Sequence, residues 1–440
     1  MTNPNHRSVN HSFSIDKFYR NYLKGPRIFK NREALESSFI PEELPHRDME
    51  IEKIAGISAC ALKGDVASNF LCYGMTGTGK TATIRYVSQK LAQHCIAEPP
   101  WWIHINCNVV SSPYRVLAHI YNTISRKERI PPTGLPKDVI YKKLLGLLDV
   151  KLSNSIAFLV LDEIDILIEK KGGNEIIYDL TRLNENLDSC RTSLIGISNK
   201  LKFMEFLDPR AKSSFGEEEP IVFHPYNATE LKDILNEREK IAFFEGVLDD
   251  SVIPLCAGLA AKEHGDARKA LQLLKRAGEI AERHQQMKIT DSHVDEAQRD
   301  IDKDHIIEYI LAMPLQAQIT LTAIYLISKF SSEHIITSGD VYDVHTELVN
   351  KIPGVKQLTA RRVSDYINEL ALAGIITATT KSMGHYGRTK VIRLDIGLGV
   401  IEAVLHQVPK IELSGILNYK PILLQTDKVK LKNNVFKKLL

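Results

Sequence analysis

Cysteine is sparse and scattered: Cys60, Cys72, Cys95, Cys107, Cys190 and Cys256 form no C-x-x-C pair and share no metal-ligand spacing with histidine. That excludes a disulfide framework or a zinc module as the organising device and leaves buried thiols as the ordinary reading. Long apolar runs are missing too. No stretch of about eighteen uncharged apolar residues occurs, and the N-terminus, MTNPNHRSVNHSF, lacks the apolar segment of a signal peptide. The expectation is a cytoplasmic protein without membrane contact. Charge of one sign is not in excess either: 57 basic against 54 acidic side chains give +3, too little to mark a nucleic-acid binder by itself. Any basic surface must be local. What remains is an ordinary globular composition, 44% hydrophobic and 25% charged over 440 residues, enough for about two to four domains.

Residues 74–81 read GMTGTGKT, a full G-x-x-x-x-G-K-[ST] phosphate-binding loop. It comprises Gly74, Met75, Thr76, Gly77, Thr78, Gly79, Lys80 and Thr81. It follows the apolar strand candidate NFLCY and runs into a segment of helical composition, the context that lets backbone N–H groups converge on phosphate oxygens at a helix N-terminus. Lys80 then reaches the β and γ phosphates of a nucleotide, and Thr81 offers its hydroxyl to Mg²⁺. A glycine-rich turn with a lysine can be a plain loop, so a second motif matters. Residues 156–165, IAFLVLDEID, are a β-branched apolar run ending in carboxylates, as a buried parallel strand ends at the ligand edge of its sheet. Asp162 is expected to hold Mg²⁺, directly or through water, and Glu163 to polarise the attacking water. The chain is therefore read as binding a nucleoside triphosphate with magnesium.

Strand candidates alternate with helical stretches up to residue 225, which argues for an α/β domain with a parallel sheet over 1–225. Residues 14–47 precede the loop and are expected over the adenine, with Ile28, Phe29, Pro45 and Arg47 as candidates. Asn199 closes the strand TSLIGIS and either orients the lytic water or simply forms a turn. Residues 226–303 are helical in pattern, a lid. Arg268 lies in the first turn of GDARKAL, where a guanidinium can lean onto the γ phosphate. Arg210, in LDPRAKSSF, is placed to reach a neighbour's nucleotide.

Residues 304–405 show three helical segments and then a hairpin, the order of a winged helix. In the third helix Val363, Tyr366, Ile367 and Leu370 form the buried stripe, leaving Thr359, Arg361 and Arg362 exposed in the first turn, where recognition helices meet DNA. Lys381, His385, Tyr386, Arg388 and Lys390 are placed to bring positive charge and an aromatic ring into or beside the minor groove. Residues 406–440 match no motif; their lysines suggest an accessory basic tail.

Taken together, GMTGTGKT, LVLDEID, Asn199, LDPRAKSSF, GDARKAL and the winged-helix pattern resemble the archaeal replication-initiator family related to the origin recognition complex and cell-division-control protein six, over roughly residues 14–405. The resemblance implies an AAA+ ATPase with Lys80, Thr81 and Asp162 on Mg·ATP, Glu163 supporting slow, switch-like hydrolysis, Asn199 and Arg268 as first and second sensors, and Arg210 as an arginine finger between subunits. It also implies that the helix at 111–126 touches DNA, with Tyr114 and Arg115 as candidates. The implied partners are double-stranded origin DNA, other initiator subunits on it and a replicative helicase of the MCM type, in a nucleoid-associated protein. A signalling or transcription ATPase whose winged helix packs on protein is the alternative.

Overall fold

A computed structural model of the chain describes residues 27–95, 98–125, 128–131, 133–215, 218–330, 335–382 and 388–425. The chain divides into two compact units, Met1–Ala297 and Gln298–Leu440.

The first unit is built on five strands: β1 (Phe70–Gly74), β2 (Trp101–Asn106), β3 (Ile156–Asp162), β4 (Arg191–Ser198) and β5 (Ile221–Phe223). They pair in parallel in the order β2-β3-β4-β1-β5. Strand β3 shows why the apolar run is continuous rather than alternating. Ala157, Leu159 and Leu161 enter one core with Val116 and Ile120 of α3 (Pro113–Ile124) and Leu144 of α4 (Lys137–Lys151). Phe158 and Val160 enter a second core with Ile54 of α1 (Asp48–Ser58) and Ile84 of α2 (Lys80–His94). Both faces are covered, so both parities of the strand are apolar. Each fully buried Leu or Phe here is worth roughly 1.5–3 kcal/mol. The short helices α5 (Ile164–Ile168), α6 (Gly173–Thr181), α7 (Phe203–Phe206) and α8 (Pro209–Phe215) follow β3 and β4.

Helices α9 (Ala228–Ala242), α10 (Val252–Lys262) and α11 (Ala267–Arg283) complete this unit. Helix α9 opens on a capping box of Asn227 and Glu230, which satisfies two of its free N–H groups. Helix α11 buries Ala270, Leu273, Leu274, Ala277 and Ile280, one helical stripe. The segment ahead of α1 also belongs here: Phe29 stacks on Phe243 at 4.9 Å.

Helix α12 (Asp291–Ala312) crosses the division between units. The second unit contains α13 (Leu315–Phe330), β6 (Ile336–Thr337), α14 (Ser338–Val349), α15 (Ala360–Leu372), β7 (Ile376–Ser382) and β8 (Arg388–Leu394), followed by α16 (Leu398–Leu405) and α17 (Pro409–Leu413). Its three strands are antiparallel in the order β6-β8-β7. Residues 406–425 are not simply an accessory tail. Ile411, Ile416 and Leu417 are buried in the core of this unit, and Tyr419 Oη and the Ile422 N–H both donate to Glu347 Oε2 at 3.1 Å.

Candidate nucleotide site and nucleic-acid interface

Strands β1, β3 and β4 end at one edge of the sheet, and the register sets their ends side by side: Tyr73 opposite Ser198, and Asp162 opposite Ile197. Because β4 lies between β1 and β3, Asn199, the residue after it, falls between the phosphate loop and the acidic pair. Lys80 Nζ donates to Asn199 Oδ1 at 2.9 Å and to the carbonyls of Gly74 and Met75 at 2.7 and 2.6 Å. Thr81 Oγ1 donates to Asp162 Oδ2 at 2.7 Å. Burial pulls the Lys80 ammonium down to about 8. The loop needs its glycines: Gly77 has φ +75°, and a Cβ there would sit 1.8 Å from Asp266 Oδ1.

Glu163 has φ +55° and one buried oxygen, Oε2, without a hydrogen-bond partner among the described residues. Burial, then the neighbouring Asp162 and Asp165 carboxylates, pushes its carboxyl above the usual range. Asp165 was given no role from sequence. It is buried, accepts from Ser198 Oγ at 3.0 Å and from the Asn199 N–H at 3.3 Å, and so fixes the strand end that presents Asn199.

Lys80, Thr81, Asp162, Glu163 and Asn199 line a cavity of about 390 Å³ together with Arg85, Asn106 and Arg268. The lid meets the loop directly, since the Ala267 N–H donates to the Gly77 carbonyl at 3.1 Å, and Asp266 caps α11 by accepting from the Arg268 N–H at 2.8 Å. Arg268 itself is exposed, its Nε 3.6 Å from Asp266 Oδ1. A magnesium nucleotide fits this donor set. Thr81 and Asp162 form a hydroxyl–carboxylate pair that can hold the metal, the loop precedes the N-terminus of a fifteen-residue helix, and Glu163 lines the same cavity.

Three adenine candidates are corrected. Ile28 does not line the cavity: it is 1% exposed, its N–H donates to Glu282 Oε1 at 3.3 Å, and its carbonyl accepts from Phe244. Phe29 is likewise occupied with Phe243. Arg47 does not line it either. Its buried guanidinium donates to the Thr78 and His224 carbonyls at 3.0 and 2.7 Å and lies 3.8 Å from the Tyr226 ring centroid, bracing the loop from behind. Pro45 does line the cavity, with Phe39, Pro41 and Leu44, which sequence reasoning missed. Arg210 stands apart from it, exposed on α8, paired with Asp208 at 3.1 Å and lying over the Tyr178 ring.

In the second unit Thr359 caps α15 by accepting from the Arg362 N–H at 3.4 Å. Arg361 and Arg362 are exposed, the latter 3.8 Å from Asp365, and Lys381 is exposed on β7. Lys390 is half-buried and committed inward, donating to Ser364 Oγ at 2.9 Å and Asn368 Oδ1 at 2.7 Å. His385, Tyr386 and the Arg388 side chain lie outside the described residues. On α3, Arg115 is exposed, whereas Tyr114 is half-buried, its hydroxyl donating to the Pro131 carbonyl at 3.0 Å and accepting from the Leu135 N–H at 3.3 Å.

Three family models match in chain order: an AAA domain over residues 65–204, a Cdc6 AAA+ ATPase-type lid domain over 232–299 and a CDC6 C-terminal winged helix domain over 308–404. An ORC1-type DNA replication protein of Pyrococcus horikoshii is 48% identical over 386 residues, which cover 87% of this chain and 91% of the relative. Another, from Sulfurisphaera tokodaii, is 44% identical and covers 88% and 96%. The solved structure of the Aeropyrum pernix ORC1 protein in complex with DNA matches with a TM-score of 0.72 at 40% identity, covering 88% of this chain and 98% of that one. Cdc6p from Pyrobaculum aerophilum matches at 0.54 and 23% identity over 88% and 100%, a likeness of fold alone. The parallel-sheet AAA+ domain, helical lid and winged helix expected from sequence are the architecture found.

Proposed function

The chain belongs to the ORC1-type DNA replication protein family, and from that premise we propose that it is an ATP-controlled initiator that grips duplex origin DNA. The observation that carries the reading is its 40% identity, over 88% of its length, to an ORC1 protein solved in complex with DNA. In this reading residues 1–225 hold the nucleotide, 226–303 form its lid and 304–405 read DNA, with Arg361 and Arg362 of α15 and Lys381 of β7 at the duplex and Arg115 of α3 as a second contact. Phosphate contacts supply most of the affinity, and base edges and DNA shape supply specificity.

At the nucleotide, Thr81 and Asp162 would hold Mg²⁺, which would supply charge neutralisation to the phosphates when bound. Lys80 contacts those phosphates, Asn199 orients water, Glu163 accepts its proton and Arg268 reports the γ phosphate. Arg210, exposed and outside this cavity, serves a neighbouring subunit's site, which makes hydrolysis slow in isolation and supports assembly of several subunits on DNA. Distortion of the origin and recruitment of an MCM-type helicase belong to the same reading, supported by family membership.

The test is duplex binding by anisotropy at several salt concentrations. Replacing Arg361 and Arg362 with Ala should flatten the slope of log K against log salt by about two units, leaving ATP affinity unchanged. An unaltered slope and affinity would favour a regulatory ATPase whose winged helix packs on protein.

A further inference from the structure

Helix α9 carries Arg238 where a guanidinium is costly. The residue is 6% exposed, and among the described residues no carboxylate pairs with it. Two backbone carbonyls hold it instead: Nη1 donates to Ala34 O at 3.1 Å and Nη2 to Phe39 O at 3.2 Å, and its Cζ lies 5.0 Å from the centroid of the Phe39 ring. Burial drags the group down to about 10. A buried charge without a counter-ion is retained at a loss of stability, so something besides stability is a reasonable return.

The return lies in what the two carbonyls belong to. The cavity has two kinds of wall. One is the phosphate loop with Asp162, Glu163, Asn199 and Arg268; the other sets Phe39, Pro41, Leu44 and Pro45 with Ile234 of α9 and Leu271 of α11, among polar side chains that include Glu43, Glu237 and Arg238 itself. Phosphates belong against the first, so a base and its sugar fall against the second. Arg238 ties the strip that contains Phe39 to the helix on the facing side, and no other side chain of α9 donates to that strip among the described residues.

We propose that Arg238 is a positioning residue for the nucleoside: by pinning the carbonyls of Ala34 and Phe39 to α9 it fixes the apolar wall, and so sets affinity for base and sugar independently of affinity for phosphate. The inference rests on the reading of this cavity as a nucleotide site.

The test separates nucleoside from phosphate, using calorimetry with Mg²⁺ and either ADP or inorganic pyrophosphate. In the full-length chain R238M, which keeps the aliphatic stem and removes the donors, should weaken ADP by about tenfold or more and pyrophosphate by less than about twofold. R238K, which keeps the charge and can reach one carbonyl, should fall between. Parallel loss of both ligands, or unchanged ADP affinity, would overturn the proposal; if R238M does not fold, the same split in R238K decides. A wild-type chain that binds ADP no better than pyrophosphate would sink the nucleotide reading, and this inference with it.

Discussion

Lys80 is a residue on which charge and burial pull against each other. Its ammonium sits among the Gly74, Met75 and Asn199 acceptors, yet burial holds its proton affinity at about 8, below the 10.5 of a free lysine. Between those two values the unfolded chain binds a proton the folded chain has lost, so this group favours folding more as pH rises through the window. Nucleotide binding moves the other way, because phosphates need the ammonium. The ADP Kd should rise by about tenfold per pH unit above about pH 8, and a Lys80→Arg variant that still binds should show no such slope. A flat wild-type profile up to about pH 9.5 would contradict the role. At Glu163 the expectation is different. Glu163→Gln should leave ATP binding intact and slow hydrolysis about a hundredfold, read by following phosphate release after rapid mixing; hydrolysis at the wild-type rate would remove Glu163 from the chemistry.

At the scale of elements, the strand order explains what was legible. The phosphate loop and the acids at 162–163 are local patterns at strand ends, so their chemistry could be read from the string. Asn199 could be placed at a strand end, but only the insertion of β4 between β1 and β3 brings its amide to Lys80. Arg47 and Ile28 were misplaced because their decisive partners are remote in sequence: His224 and Glu282 lie 177 and 254 residues away. No periodicity in the N-terminal segment reports such partners. Arg238 was missed for the same reason, its carbonyl partners lying 204 and 199 residues upstream. The wing strand carries a similar lesson. Lys390 adds to a basic pattern in sequence, yet its bonds to Ser364 and Asn368 tie β8 to α15. Lys390→Ala should therefore cost about 1 kcal/mol in denaturant unfolding and leave the salt slope of DNA binding almost unaltered. A flattened slope with unchanged unfolding would put Lys390 on the duplex instead.

Over the whole molecule, 57 basic and 54 acidic side chains are nearly balanced, so on the proposed reading DNA affinity rests on local patches such as Arg361 and Arg362 rather than on a general field. Among the described residues no helix is long and apolar enough to cross a membrane. The stretch from 406 to 425, silent as motif, is part of the second unit's core through Val408, Ile411, Ile416 and Leu417; burial of four apolar side chains leaves no spacing signature in so short a segment. On the proposed reading, nucleotide site and winged helix serve recognition of replication origins. The most direct measurement is to crosslink the protein in its own cells and sequence the DNA that co-purifies. One or a few sharp peaks at sites where replication starts are predicted; peaks spread over many promoters, or none, would contradict the account.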